Sequence, residues 1–131
     1  MSNAEGSFAT FAALNSLPES DRSRVPLLIE LMAMDDHDFH EDIVFELGLL
    51  GEPAAIPTLV KAVEEPPQYI VESGEWGSLH EFQRKCAYAL ARIGTLESRL
   101  ALEYLSRHAN HYLREYGQEG LRHWPMTYGW P

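Results

Sequence analysis

Cysteine is almost absent from this chain: Cys86 is the only one in 131 residues. A single thiol excludes an internal disulfide and any zinc site built from several cysteines, and it suits a reducing compartment. No stretch approaches the roughly 20 uncharged apolar residues of a membrane span, and the N-terminus lacks a basic region followed by an apolar run and a cleavage site. These absences predict a cytoplasmic protein without membrane association. There is no Gly-rich phosphate loop, no Gly-x-Ser-x-Gly elbow and no convincing serine or cysteine triad, so catalysis has little to stand on and no cofactor is expected. No segment alternates apolar and polar residues as a half-buried strand does.

What the chain does have is enough apolar character, 45%, to build one core without disulfides or metals. A single domain over residues 1–131 is expected. The net charge of −10 is regional. From Glu19 to Glu52 ten acids face only Arg22 and Arg24, a balance of −8, whereas Leu79 to Pro131 carries seven bases against five acids. An acidic front repels phosphate backbones, which argues against nucleic acid, and attracts a protein partner with a basic patch.

The chain also repeats itself. Shifted forward by 31, Pro26-Leu27-Leu28-Ile29-Glu30-Leu31-Met32 meets Pro57-Thr58-Leu59-Val60-Lys61-Ala62-Val63, proline on proline and apolar on apolar. A second pattern, Phe39, Ile43, Leu47 and Leu50, has the spacing of one helix face and ends at Gly51. Shifted by 43 it gives Phe82, Cys86, Leu90 and Ile93, closed by Gly94; a further 31 gives Leu113, Gly117, Leu121 and Trp124. The two offsets differ by 12 because residues 64–78, rich in proline and glycine, are inserted in the second copy.

The pattern predicts an all-α fold: a short α-solenoid of about three helical hairpins at 25–50, 54–93 and 97–123. An N-terminal helix, roughly Glu5 to Leu17, would cap one end with Phe8, Phe11, Ala12 and Leu14. An aromatic tail at 124–131 would cover the last hairpin. Pro26, Pro53 and Pro57 suit first turns, and Gly51 and Gly94 suit left-handed helix stops. Asp35 to Asp38 supply N-cap candidates for the helix that follows.

The run Glu46-Leu47-Gly48-Leu49-Leu50-Gly51-Glu52-Pro53-Ala54-Ala55-Ile56-Pro57-Thr58-Leu59 resembles the consensus of the HEAT-like repeats named after phycobilisome lyases. Ala89-Leu90-Ala91-Arg92-Ile93-Gly94 echoes its first half. The resemblance implies hairpins that bind other proteins along the surface lined by their second helices, with some members acting as lyase chaperones or enzyme subunits. Where that family opens its second helix with valine-arginine, the first repeat here has Phe39-His40-Glu41 and the second has Phe82-Gln83-Arg84.

Three features are candidates for function. The acids Asp35, Asp36, Asp38, Glu41, Asp42 and Glu46 fall on a second helix and lack the i+4 lysines of a purely structural one, which suggests a partner-binding ridge. The insertion, with Tyr69, Ile70, Val71 and Trp76, either supplies an aromatic anchor through Tyr69 and Trp76 or folds back over the core. His37, His40, Glu41 and His80 are conceivable metal ligands, and they resemble the histidine–glutamate pairs of deoxyhypusine hydroxylase. Those pairs align with Glu41-Asp42, however, so His40-Glu41 is one residue out of register, and His80-Glu81 aligns with His37-Asp38. No metal is expected. Cys86 falls on a buried position and reads as core.

The leading expectation is a protein-protein interaction module that docks a partner on its acidic second-helix face. A sharper version is an immunity or inhibitor protein that neutralises a basic toxin. A second class is enzymatic, a lyase-like chromophore chaperone or a metal-dependent hydroxylase, and a third is structural, a fragment of a larger solenoid, which the aromatic tail after the last repeat argues against.

Overall fold

The structure, a computed structural model, describes residues 6–126. The described chain is all-α, with no strand: α1 (Gly6–Asn15), α2 (Arg24–Met32), α3 (His40–Leu50), α4 (Ile56–Glu64), the short α5 (Gln68–Glu72), α6 (Trp76–Ile93), α7 (Leu96–Ser106) and α8 (His111–His123). A 3-10 turn, Pro53–Ala55, leads into α4. No described helix is long and apolar enough to cross a membrane.

Local chemistry sets the ends. Gly51 and Gly94 stop α3 and α6 with φ of 68° and 72°, the left-handed region where a side chain would strain the backbone. Pro57 sits in the first turn of α4, where a missing N–H leaves no bond unmade. Thr95 caps α7 by accepting from the Ser98 N–H, and Asn110 caps α8 by accepting from the N–H groups of Tyr112 and Leu113.

Packing joins α2 to α3, α4 to α6 and α7 to α8. Between these pairs, contacts run from α2 to α4 to α7 and from α3 to α6 to α8, while α1 lies on α2 and α5 on α6. The core consists of the apolar faces those contacts bury, including Leu28, Leu31, Val44, Leu47, Leu59, Val63, Leu90, Leu102 and Leu105. Burying each such side chain is worth roughly 1.5–3 kcal/mol against leaving it exposed. Cys86 is part of this core, and burial pushes its thiol far above the usual range. The α7–α8 pair packs closest: a Cβ on Gly117 would stand 2.4 Å from the Ser106 nitrogen.

Three expectations need correction. Phe39 does not lie on the buried face of α3. It is 51% exposed, while its counterpart Phe82 is 1% exposed. Helix α3 begins only at His40, so Phe39 precedes helical geometry, whereas α6 starts at Trp76 and carries Phe82 well inside the helix. His40 takes the buried place instead. Asp35 to Asp38 do not cap α3, whose N-cap Phe39 makes no side-chain capping bond. Asp36 turns back to α1 and accepts from the hydroxyl (2.8 Å) and the N–H (3.4 Å) of Ser7. On α1, which packs on α2, Ser7, Thr10 and Leu14 are buried and Phe8 and Ala12 are exposed.

At the C-terminal end, the Trp124 indole N–H donates to the Thr95 carbonyl and the Ser98 hydroxyl, Arg99 stacks on its ring, and Met126 is buried. The rest of the predicted tail, 127–131, lies outside the described residues.

Candidate functional site

The same contact recurs on three helices, at or near the start of α3 and α8 and inside α6. His40, Gln83 and Arg114 are related by the sequence offsets of 43 and 31. Each donates a side-chain N–H to a carbonyl at or just beyond the end of the preceding helix of its pair: His40 to Met34 (2.9 Å), Gln83 to Val63 (2.8 Å) and Arg114 to His108 (3.0 Å). Carbonyls there have lost their intrahelical partners, and these donors satisfy them.

His40 does this as part of a larger cluster. Its Nε2–H points at the Met34 carbonyl, which leaves Nδ1 to accept from the Tyr69 hydroxyl at 3.2 Å. The Tyr69 oxygen in turn accepts the His40 backbone N–H at 3.3 Å. His37 stacks on His40 at 4.3 Å between ring centroids, donates Nε2–H to the Leu31 carbonyl (2.7 Å) and accepts the Phe39 N–H on Nδ1 (3.1 Å). Burial, and then the neighbouring His37, lowers the pKa of His40. Burial raises that of Tyr69, and the charges of Asp38, Glu41 and Asp42 push it the same way.

Tyr69 belongs to α5, so the insertion is tied to the first turn of α3. Ile70 is buried, while Tyr69 and Val71 are partly exposed. The insertion therefore folds back through Ile70 and presents its other side outward. Trp76 opens α6, and its side chain lies outside the described residues. Two clefts flank Tyr69. One, of about 460 Å³, lies toward α2 and α4 and is bordered by Met32, Asp35, His40, Lys61 and Glu65. The other, of about 240 Å³, lies toward α6 and is bordered by Asp38, Glu41, Ser73, Ser78 and Glu81.

The six ridge acids are not equivalent. Asp36 is held by Ser7, Glu46 forms a two-point ion pair with the buried Arg24, and Glu41 reaches Lys85 of α6 at 3.0 Å. Asp35, Asp38 and Asp42 are exposed and take no ion pair among the described residues. The balancing cations are thus supplied by α2 and α6, not by i+4 lysines within α3.

Among the described residues no three His, Cys, Asp or Glu side chains converge on a point where an ion could sit. Both nitrogens of His37 and of His40 already hold hydrogen bonds, and His80 bonds to the Tyr116 hydroxyl at 2.9 Å. A hydroxylase-type metal does not fit this donor set.

The acidic reading overlooked two residues. Phe45 and Leu49, one turn apart on the outward face of α3, are 41% and 51% exposed. Their signal was present in the sequence, since Ile43-Val44-Phe45-Glu46-Leu47-Gly48-Leu49-Leu50 is apolar around most of the helix and one stripe alone can face the core. A second exposed stripe, Leu96, Leu100 and Tyr104, runs along α7. The outward face of α6 differs. Its Arg84 pairs with Glu119 of α8 through the Nε and Nη2 N–H groups of one guanidinium edge (3.2 and 2.5 Å), and Tyr88 donates to the same carboxylate. This network holds Glu119 down at about 2.

Comparison with protein-family models, with curated proteins and with solved structures finds no match to this chain.

Proposed function

We propose that the chain is a protein-binding module, a short HEAT-like solenoid of three hairpins whose partner docks along the acidic edge formed by α3 and the α5 insertion. The solenoid reading draws support from the order of helix contacts and from the equivalent carbonyl contacts of His40, Gln83 and Arg114. The docking reading rests on one observation above all. Tyr69 joins the insertion to the start of α3, so the two segments that depart most from the repeat form one continuous edge. Along that edge Asp35, Asp38 and Asp42 have no cation of their own, and a clefted, acidic border suits a partner surface rich in lysine and arginine.

The test is affinity capture from a cell lysate with the wild-type chain and with a variant carrying Asp35→Lys, Asp38→Lys and Asp42→Lys. Each is run at roughly 50 and 500 mM salt, which spans weak to strong screening. A basic protein captured by the wild type should fall about tenfold with the variant and with high salt. Capture unaffected by either change would remove the acidic edge from the account. A captured basic toxin or nuclease would narrow the role to inhibition.

A further inference from the structure

Helix α3 has two flanks. Helix α6 covers one, and Glu41 and Lys85 bridge that seam. Along the other runs a groove of about 530 Å³, walled by α3, the α1–α2 connection and the start of α2. Phe45, Leu49 and Leu50 line it, and Glu19, Asp42 and Glu46 line it beside them. Its two arginines are spoken for: Arg24 by Glu46 and the carbonyls of Leu14 and Leu17, Arg22 by Glu52. Glu19 and Asp42 remain exposed and without an ion pair among the described residues.

We infer that this groove takes an amphipathic helix from a protein partner, with apolar side chains three or four residues apart seated on Phe45 and Leu49 and lysine or arginine at its margins. The inference deepens the protein-binding reading and rests on it. Phe45 and Leu49 are one helical turn apart, so the anchors they accept have the i, i+4 spacing of a helix face. The margin is a set of carboxylates whose local cations are already neutralised, so it favours cations and disfavours acids on the incoming segment. The repeat register underlines the point. Positions 42 and 45 on α3 correspond by the 43-residue offset to Lys85 and Tyr88 on α6. In α3 the same positions hold an acid and an exposed phenyl ring.

The probe is a display library of random peptides roughly 16 residues long, about four helical turns, selected against the intact chain. Enriched peptides are synthesised, and their affinities are measured by fluorescence anisotropy for wild type, Phe45→Ser, Leu49→Ser, Asp42→Lys, Asp38→Lys and, as a control on the other exposed stripe, Leu100→Ser. Circular dichroism confirms that each variant melts within about 2 °C of wild type, as surface substitutions should. Enriched sequences should be basic, with apolar residues three or four apart. Binding should weaken about tenfold or more with Phe45→Ser or Leu49→Ser and about fivefold with Asp42→Lys, and should not change with Leu100→Ser. Basic peptides that ignore Phe45→Ser and Leu49→Ser but are lost with Asp38→Lys would overturn the groove and leave the acidic edge standing. Enrichment of acidic peptides, or of none, would overturn the groove assignment, and the whole-protein capture experiment then decides the broader reading by itself. Self-association in sedimentation velocity that Phe45→Ser abolishes would overturn the partner helix in favour of a second copy of this chain.

Discussion

The outward faces of α3 and α6 are related by the 43-residue sequence offset and have opposite characters. On α6, Arg84 and Tyr88 reach a single carboxylate, Glu119, on the next helix, and Lys85 reaches back to Glu41. On α3 the corresponding positions are Glu41, Asp42 and Phe45, and Glu41 reaches forward to Lys85. The buried columns match while the outward ones do not: Ile43, Val44 and Leu47 are replaced by Cys86, Ala87 and Leu90, all buried. Packing constrains the inner face of a repeat. The outer face is free to change chemistry from one helix to the next.

The contrast can be tested first where packing is closest. Gly117→Ala sets a methyl group against the α7 backbone and should cost about 3 kcal/mol in urea unfolding. No single substitution on the outward face of α3 should approach that figure. The α6–α8 seam comes next. Glu119→Gln removes one side of a partly buried ion pair and should cost about 1 kcal/mol after solvent screening is allowed for. Because Arg84 holds Glu119 at about 2 against the usual 4.5, its stabilisation is present above pH 4.5 and is lost as pH falls toward 2. The variant should lose that part of the acid dependence.

At the start of α3, His40→Gln imports the solution used by Gln83 and should change stability by less than about 1 kcal/mol at neutral pH. Its effect should lie in the pH profile. The folded pKa of His40 is lowered, so the unfolded chain binds the proton first, and stability that is complete above 6.5 is lost as pH falls below it. Thermal melts from pH 7.5 to 5.5 should show that loss in wild type and a smaller one in His40→Gln. The smallest effect belongs to Phe45→Ser, expected within about 0.5 kcal/mol of wild type because the ring is already substantially exposed. A large destabilisation there would mean that the α3 face is structural after all and would erase the difference from α6.

Much of the helical framework was legible in the residues. The stops at Gly51 and Gly94 and the proline opening α4 are local signals, and apolar spacing marks the faces of α2, α6 and α8. The start of α3 was not legible, because its acids read as local caps while Asp36 serves Ser7, 29 residues away. The join between Tyr69 and His40 spans the same distance and depends on how far α5 folds back, which no short-range pattern encodes. Nor did the acidic run reveal that Glu41 and Glu46 are held by Lys85 and Arg24, since those cations come from other helices. Charge counted along a sequence says where acids are and not which of them are already paired.

A partner that uses the acidic edge must touch α3 and α5. An amide-resolved NMR titration of the isotope-labelled chain with its captured partner measures this directly. Shifts should concentrate between Asp35 and Leu50 and in α5, with α7 and α8 unmoved. Shifts concentrated on Leu96, Leu100 and Tyr104, with α3 and α5 unmoved, would contradict docking on the acidic edge.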